Sequence, residues 1–171
     1  EEQAVANLKK LRILFGLLGV NFFWDGKFDD IPNTVGNAAA QVARMNAMMF
    51  NVHASAGRAA VEKAVTNRGN AEVLGVTVLT SIKEDECVSI FGDNPGNKVL
   101  QFAKMLAEVG AHGIICSPKE LEFLGQESEL AHLKKVTPGV RPVWAPADDQ
   151  KRVMTPGEAI RAGADYLVIG R

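Results

Sequence analysis

Short apolar runs alternate with stretches of helical spacing along this chain. VNFFW (20–24), MMFNV (48–52), EVLGVTVL (72–79), GIIC (113–116), KKVTP (134–138) and DYLVIG (165–170) are four to eight residues long. They are apolar on both faces, the pattern of buried strands. Between them lie NTVGNAAAQVARMNA, AGRAAVEKAVTN, NKVLQFAKMLAEVGA, SPKELEFLGQ and TPGEAIRAGA, and EEQAVANLKKLR precedes the first. In NKVLQFAKMLAEVGA, the residues Val99, Phe102, Ala103, Leu106 and Val109 recur at the spacing of one helix face. Doubly apolar strands alternating with helices predict a parallel α/β sheet.

The polar residues narrow the choice of α/β fold. Each strand runs into a small polar or charged cluster: WDGK, NVHAS, VLTS, CS, TPGVR and IGR. No glycine-rich dinucleotide fingerprint follows an early strand. Polar clusters at the C-terminal ends of successive strands are where a (β/α)8 barrel keeps its chemistry. The expectation is a TIM (β/α)8 barrel, present as an incomplete barrel of about six β/α units in one domain over residues 1–171. A whole barrel takes about 250 residues, and an open sheet would leave unpaired edges. The chain is therefore expected to be a piece of a longer protein, beginning after two strands and stopping at the last.

Composition removes several function classes. The net charge is −1, so neither a nucleic-acid surface nor a polybasic membrane patch is expected. RILFGLLGVNFFW is too short and too interrupted for a membrane span. Cys87 and Cys116 stand far apart and read as reduced thiols of a cytoplasmic protein. His53, His112 and His132 lack ligand-like spacing, and no metal is expected.

The densest chemistry is WDGKFDDIPNT (24–34), where Asp25, Lys27, Asp29 and Asp30 follow an apolar strand. Residues two apart on a strand share a face, which pairs Asp25 with Lys27 and Trp24 with Gly26. A lysine held by carboxylates keeps its charge. Pro32 disfavours a helix at Ile31, and Asn33 or Thr34 can cap the helix that follows. Taken alone, D-x-K reads equally well as an ordinary strand-end salt bridge. His53 reads as a hydrogen-bonded structural histidine and Cys116 as a small core residue.

The longer string DGKFDDIPNT resembles the D-x-K-x-x-D-I-P-N-T signature of the orotidine 5′-phosphate decarboxylase family. NVHASAG, VTVLTS, VTPGVRP, DDQKRVMTP and AGADYLVIGR resemble later segments of that family, in its order. The resemblance implies cofactor-free decarboxylation of orotidine 5′-phosphate to UMP. In this role Lys27 stabilises charge at C6 and donates the proton, with Asp25 and Asp30 completing the array. It implies substrate contacts at Ile31, Thr34, Thr80, Ser81, Arg141, Gln150, Gly170 and Arg171. Of these, Arg141, Gln150, Gly170 and Arg171 match phosphate-binding positions, and RPVWAPADDQ matches a loop that closes over the phosphate. It further implies a homodimer with shared sites, Asp30 and Thr34 reaching the partner.

Three departures accompany the resemblance. The family's second lysine, on a preceding strand, has no counterpart; Lys9 and Lys10 lie in a helix-like segment. Gly26 replaces an apolar residue, which is expected to loosen strand packing. Asp29 stands where histidine is common. A Mg²⁺-dependent sugar-phosphate lyase of the same superfamily and a non-catalytic nucleotide- or phosphate-binding barrel are the competing readings.

Overall fold

The computed structural model describes Lys10, residues 13–144 and residues 154–170. The chain divides into two compact units, Glu1–Val73 and Leu74–Arg171.

In the first unit, β1 (Phe23–Phe28) leads to α1 (Pro32–Arg44), β2 (Met49–His53), a 3-10 turn at Ala54–Ala56 and α2 (Arg58–Asn67). Strands β1 and β2 pair in parallel. Val35, Ala39 and Val42 of α1 and Ala60, Val61 and Ala64 of α2 are buried, and so are Met49, Phe50 and Val52 of β2. Ile31 is extended, at φ −59° and ψ 153°, and Pro32 opens α1 at the position where a missing N–H costs nothing. No side chain caps α1, so Asn33 and Thr34 fall inside its first turn rather than before it. Residues 13–18, part of a segment with no sequence-level assignment, are helical and end at Gly19, with φ +62°. The Phe15 and Phe22 rings then stack 4.9 Å apart.

Strand β3 (Glu72–Val76) begins at the end of the first unit, where the Glu72 N–H donates to the Met48 carbonyl at 2.9 Å. The second unit continues with α3 (Glu84–Phe91), α4 (Pro95–Glu108), β4 (Gly113–Ile115), α5 (Leu121–Gln126), β5 (Lys134–Thr137), α6 (Pro156–Arg161) and β6 (Tyr166–Leu167). Strands β3, β4, β5 and β6 pair in that order, all in parallel. Val99, Ala103 and Leu106 of α4 are fully buried, while Phe102 and Val109, expected on the same face, are only partly buried. Gly75 lies directly under Leu106: a Cβ there would come within 2.1 Å of its side chain.

All six expected strands are present, with shifted limits. β1 starts later than VNFFW and runs on through the charged residues. β3 stops at Val76, so Thr80 and Ser81 belong to the following turn and not to the strand end. Helix α3 carries an exposed acidic first turn and only one buried residue, Cys87. With a single buried residue, it has no buried face to stand out in the hydrophobic pattern.

Candidate active site

The site in the first unit is built where β1 loses its regular pairing. Trp24 pairs with Phe50 and Phe28 with Val52, so Asp25, Gly26 and Lys27 together stand opposite Asn51 alone. This is a bulge, which re-aims side chains at a strand end. Lys27 takes φ +44°, a backbone region a lysine rarely enters. Gly26 permits the kink. A Cβ at residue 26 would lie 2.6 Å from the Trp24 indole nitrogen and 2.9 Å from the Phe28 ring. Instead of loosening the strand, Gly26 lets those two rings close over it.

Asp25 and Lys27 meet as the strand pattern implied, but through the bulge rather than by simple alternation. Lys27 Nζ donates to Asp25 Oδ1 at 2.6 Å and to Oδ2 at 2.7 Å. Both side chains are about half exposed. Asn51 Nδ2 also donates to Asp25 Oδ1, at 2.6 Å. Burial alone would push the Asp25 carboxyl up. The bonds from Lys27 and Asn51, with the Lys27 charge, outweigh it and hold the carboxyl below its ordinary value of 3.8.

Asp30 Oδ1 accepts the Ile31 N–H at 2.7 Å, anchoring the loop at the start of α1. A cavity of about 240 Å³ opens beside these residues, lined by Lys27, Asp29, Asp30 and Thr34 among others. Lys27, Asp30 and Thr34 thus line one cavity, with Asp25 tied to Lys27, while Ile31 is exposed between Asp30 and Pro32. His53 is half-buried at the end of β2. Burial lowers its pKa and the Lys27 charge adds to that, while Asp29 opposes both. The imidazole therefore lies within the field of this charged cluster.

The remaining expected residues lie in the second unit or outside the described residues. Thr80 and Ser81 follow β3 in a turn in which the Ile82 N–H donates to the Leu79 carbonyl at 3.0 Å. Arg141 follows β5: its N–H donates to the Met154 carbonyl at 2.9 Å and its Nη1 to the Val140 carbonyl at 3.0 Å. Gly170 follows β6, with open space where a side chain would stand. These four residues all lie beyond the C-terminal ends of parallel strands. Gln150 and Arg171 lie outside the described residues, as does most of RPVWAPADDQ. Trp144, at its described end, is 86 % exposed. Cys116 is buried, and burial pushes its thiol pKa far up, in keeping with a core residue.

Residues 2–171 match the family described as Orotidine 5'-phosphate decarboxylase / HUMPS family. The chain belongs to this family. Among curated relatives, the orotidine 5'-phosphate decarboxylase of Pseudoalteromonas translucida is 46% identical over 161 residues, covering 90% of this chain and 68% of that protein. The enzyme of the same name from Actinobacillus succinogenes is 38% identical over 187 residues, covering 99% and 80%. The crystal structure of orotidine 5'-phosphate decarboxylase from Lactobacillus acidophilus superposes with a TM-score of 0.78 at 32% identity, covering 96% of this chain and 70% of that one. The enzyme from Pyrococcus horikoshii, at 24% identity and TM-score 0.71, supports the fold alone. The expected fold class therefore stands: the strands and helices of this orotidine 5'-phosphate decarboxylase / HUMPS family member are those of a (β/α)8 barrel, six strands of it among the described residues.

Sequence reasoning overlooked Asn51. It is fully buried, yet it is the one polar residue in the MFNV stretch of β2. A buried amide must find partners, and this one finds Asp25 and Lys27. The interrupted apolar run was the available signal.

Proposed function

We propose that the chain carries the decarboxylase site that converts orotidine 5′-phosphate to UMP, without metal or organic cofactor, with Lys27 as proton donor. One observation carries the assignment of roles: an ammonium clamped by both oxygens of Asp25 at the mouth of a cavity, at the end of a parallel strand. Loss of CO2 from C6 of the orotate ring leaves an electron pair in the ring plane, where the π system cannot take it up. A fixed cation beside that atom stabilises the charge as it forms. The same ammonium then supplies the proton that replaces CO2. Asp25 holds the cation in place, and its charge disfavours the neighbouring substrate carboxylate in the ground state.

Phosphate recognition falls to Arg141, Gln150, Gly170 and Arg171 in this reading. Guanidinium groups offer forked, charge-assisted bonds, and a glycine leaves room for backbone N–H groups to approach. Thr80 and Ser81 take the pyrimidine, and Ile31 and Thr34 are further substrate contacts in this reading. Asp30, Ile31 and Thr34 are exposed in the single chain, Ile31 by 66 %. An apolar side chain left open beside a charged site favours a second copy of the chain, and so a homodimer with shared sites. The same reading treats the chain as one barrel domain of a cytoplasmic enzyme. Among the described residues no helix is long and apolar enough to cross a membrane.

The test is UMP formation from orotidine 5′-phosphate by the purified protein and by Lys27→Ala. Turnover by the former, reduced about 10²–10⁴-fold in the latter, is the expected result. Equal turnover by both would end the assignment.

A further inference from the structure

We infer that Asn51 is a positioning residue that holds both the backbone and, through Asp25, the ammonium of Lys27; this rests on the reading of Lys27 as the catalytic cation. The bulge removes the regular ladder just where the lysine sits. Between the Trp24–Phe50 and Phe28–Val52 pairs, the side chain of Asn51 takes over bonds the backbone cannot make. Its Oδ1 accepts the Lys27 N–H at 2.6 Å, and its Nδ2 donates to Asp25 Oδ1 at 2.6 Å. Asp25 in turn accepts from Lys27 Nζ through both oxygens. Lys27 is gripped at both ends by one closed circuit.

The circuit has a fixed direction. A backbone N–H can only donate, so the amide oxygen must face Lys27. The amide NH2 must then face Asp25, whose Oδ1 accepts its bond. Asn51 is fully buried, so water is not a ready substitute for either bond. A left-handed φ at a lysine costs free energy and persists only where the surroundings impose it. The bond from Asn51 to the Lys27 N–H is one restraint the structure offers at that residue. Asn51 touches no reacting atom in this account; it acts through Lys27 and Asp25.

Asn51→Asp separates its two duties. It keeps an oxygen for the Lys27 N–H but removes the donor to Asp25 and adds a like charge. Among the described residues, the titratable residues bonded to Asn51 are Asp25 and Lys27 on β1, and His53 lies two residues further along β2. We expect kcat of the protein to fall about 10²-fold near neutral pH with KM little changed, the cost of a misplaced catalytic group. The loss should shrink as pH falls, because a protonated carboxyl at position 51 can donate as the amide did. Asn51→Leu, which removes both bonds, should lose kcat at every pH. Wild-type kcat and an unchanged pH profile in Asn51→Asp would overturn the inference. So would a parallel, pH-independent loss of kcat and KM, which marks a merely structural role. A second readout does not depend on turnover: the Lys27 amide proton resonance should move upfield and exchange faster in folded Asn51→Leu. An unmoved Lys27 amide would overturn the inference even if the parent protein released no CO2, an outcome that by itself would count against the proposed function instead.

Discussion

Lys27 Nζ sits 2.6 and 2.7 Å from the two carboxylate oxygens of Asp25, two residues back along the same strand. The pair is half exposed, and an exposed pair of this kind adds little to stability. Its value lies in fixing where a cation stands. Asp25→Asn should therefore leave the fold standing and lower kcat about 10²-fold by freeing the ammonium. A thermal melt alongside steady-state kinetics checks both halves of the statement. Collapse of the melt with unchanged kcat per folded molecule would contradict it.

The Asp25 carboxyl is held below 3.8 because bonds from Lys27 and Asn51 outweigh the opposing effect of burial. A depressed carboxyl contributes stability that is fully present above its ordinary value and is lost as pH falls through the folded one. Urea unfolding at stepped pH should show the wild type more stable than Asp25→Asn at pH 6. The gap should close once the pH drops below 3.8. A gap that widens toward acid would show the carboxyl shifted the other way.

His53 behaves in the same direction for a different reason. Burial is the main cause of its depressed pKa, with Lys27 adding to it. The folded protein therefore favours the neutral imidazole, and this contribution is present above pH 6.5 and lost as pH falls below it. Titration of the His53 ring protons by NMR should give a midpoint below 6.5. In Lys27→Ala the midpoint should rise, since a repelling charge has gone and Asp29 remains.

Arg141 offers a check on substrate recognition. Arg141→Ala should lower kcat/KM for orotidine 5′-phosphate about 10–10²-fold, the worth of a hydrogen bond to a charged group. It should leave the slower reaction of the phosphate-free nucleoside untouched. Equal losses on both substrates would remove Arg141 from the phosphate site. Metal chelator should change neither reaction, whereas loss of activity in chelator would favour a Mg²⁺-dependent lyase.

Gly75 and Leu106 test the packing of the second unit. A Cβ on Gly75 would meet Leu106 at 2.1 Å, and Leu106 is fully buried. Gly75→Ala should destabilise by about 1–3 kcal/mol, the usual cost of overpacking. Adding Leu106→Ala should cost less in that background than in the wild type, because the clash is relieved. Strict additivity in a denaturation double-mutant cycle would show that the two do not share space.

The hydrophobic pattern by itself determined the α/β class, the six strands and the buried face of α4. Those follow from local periodicity, since each strand or helix must bury the side chains its own repeat presents. The string DGKFDDIPNT likewise pointed to the family, whose match spans residues 2–171. Alternation anticipated that Asp25 and Lys27 would meet, although the contact forms through a bulge and not by period two. It did not disclose the bulge, because β1 departs from period two only where it faces Asn51. It extended β3 to Leu79, because Thr77–Leu79 is as apolar as the strand before it, and the turn begins only where parallel pairing to β4 runs out. It missed α3, whose exposed acidic turn buries little. Only the tertiary structure decided that Asn51, 24 residues away from Lys27 in the chain, bonds to Lys27 and Asp25. A buried amide finds its partners across strands, and no local spacing encodes which donor and acceptor the fold will bring to it.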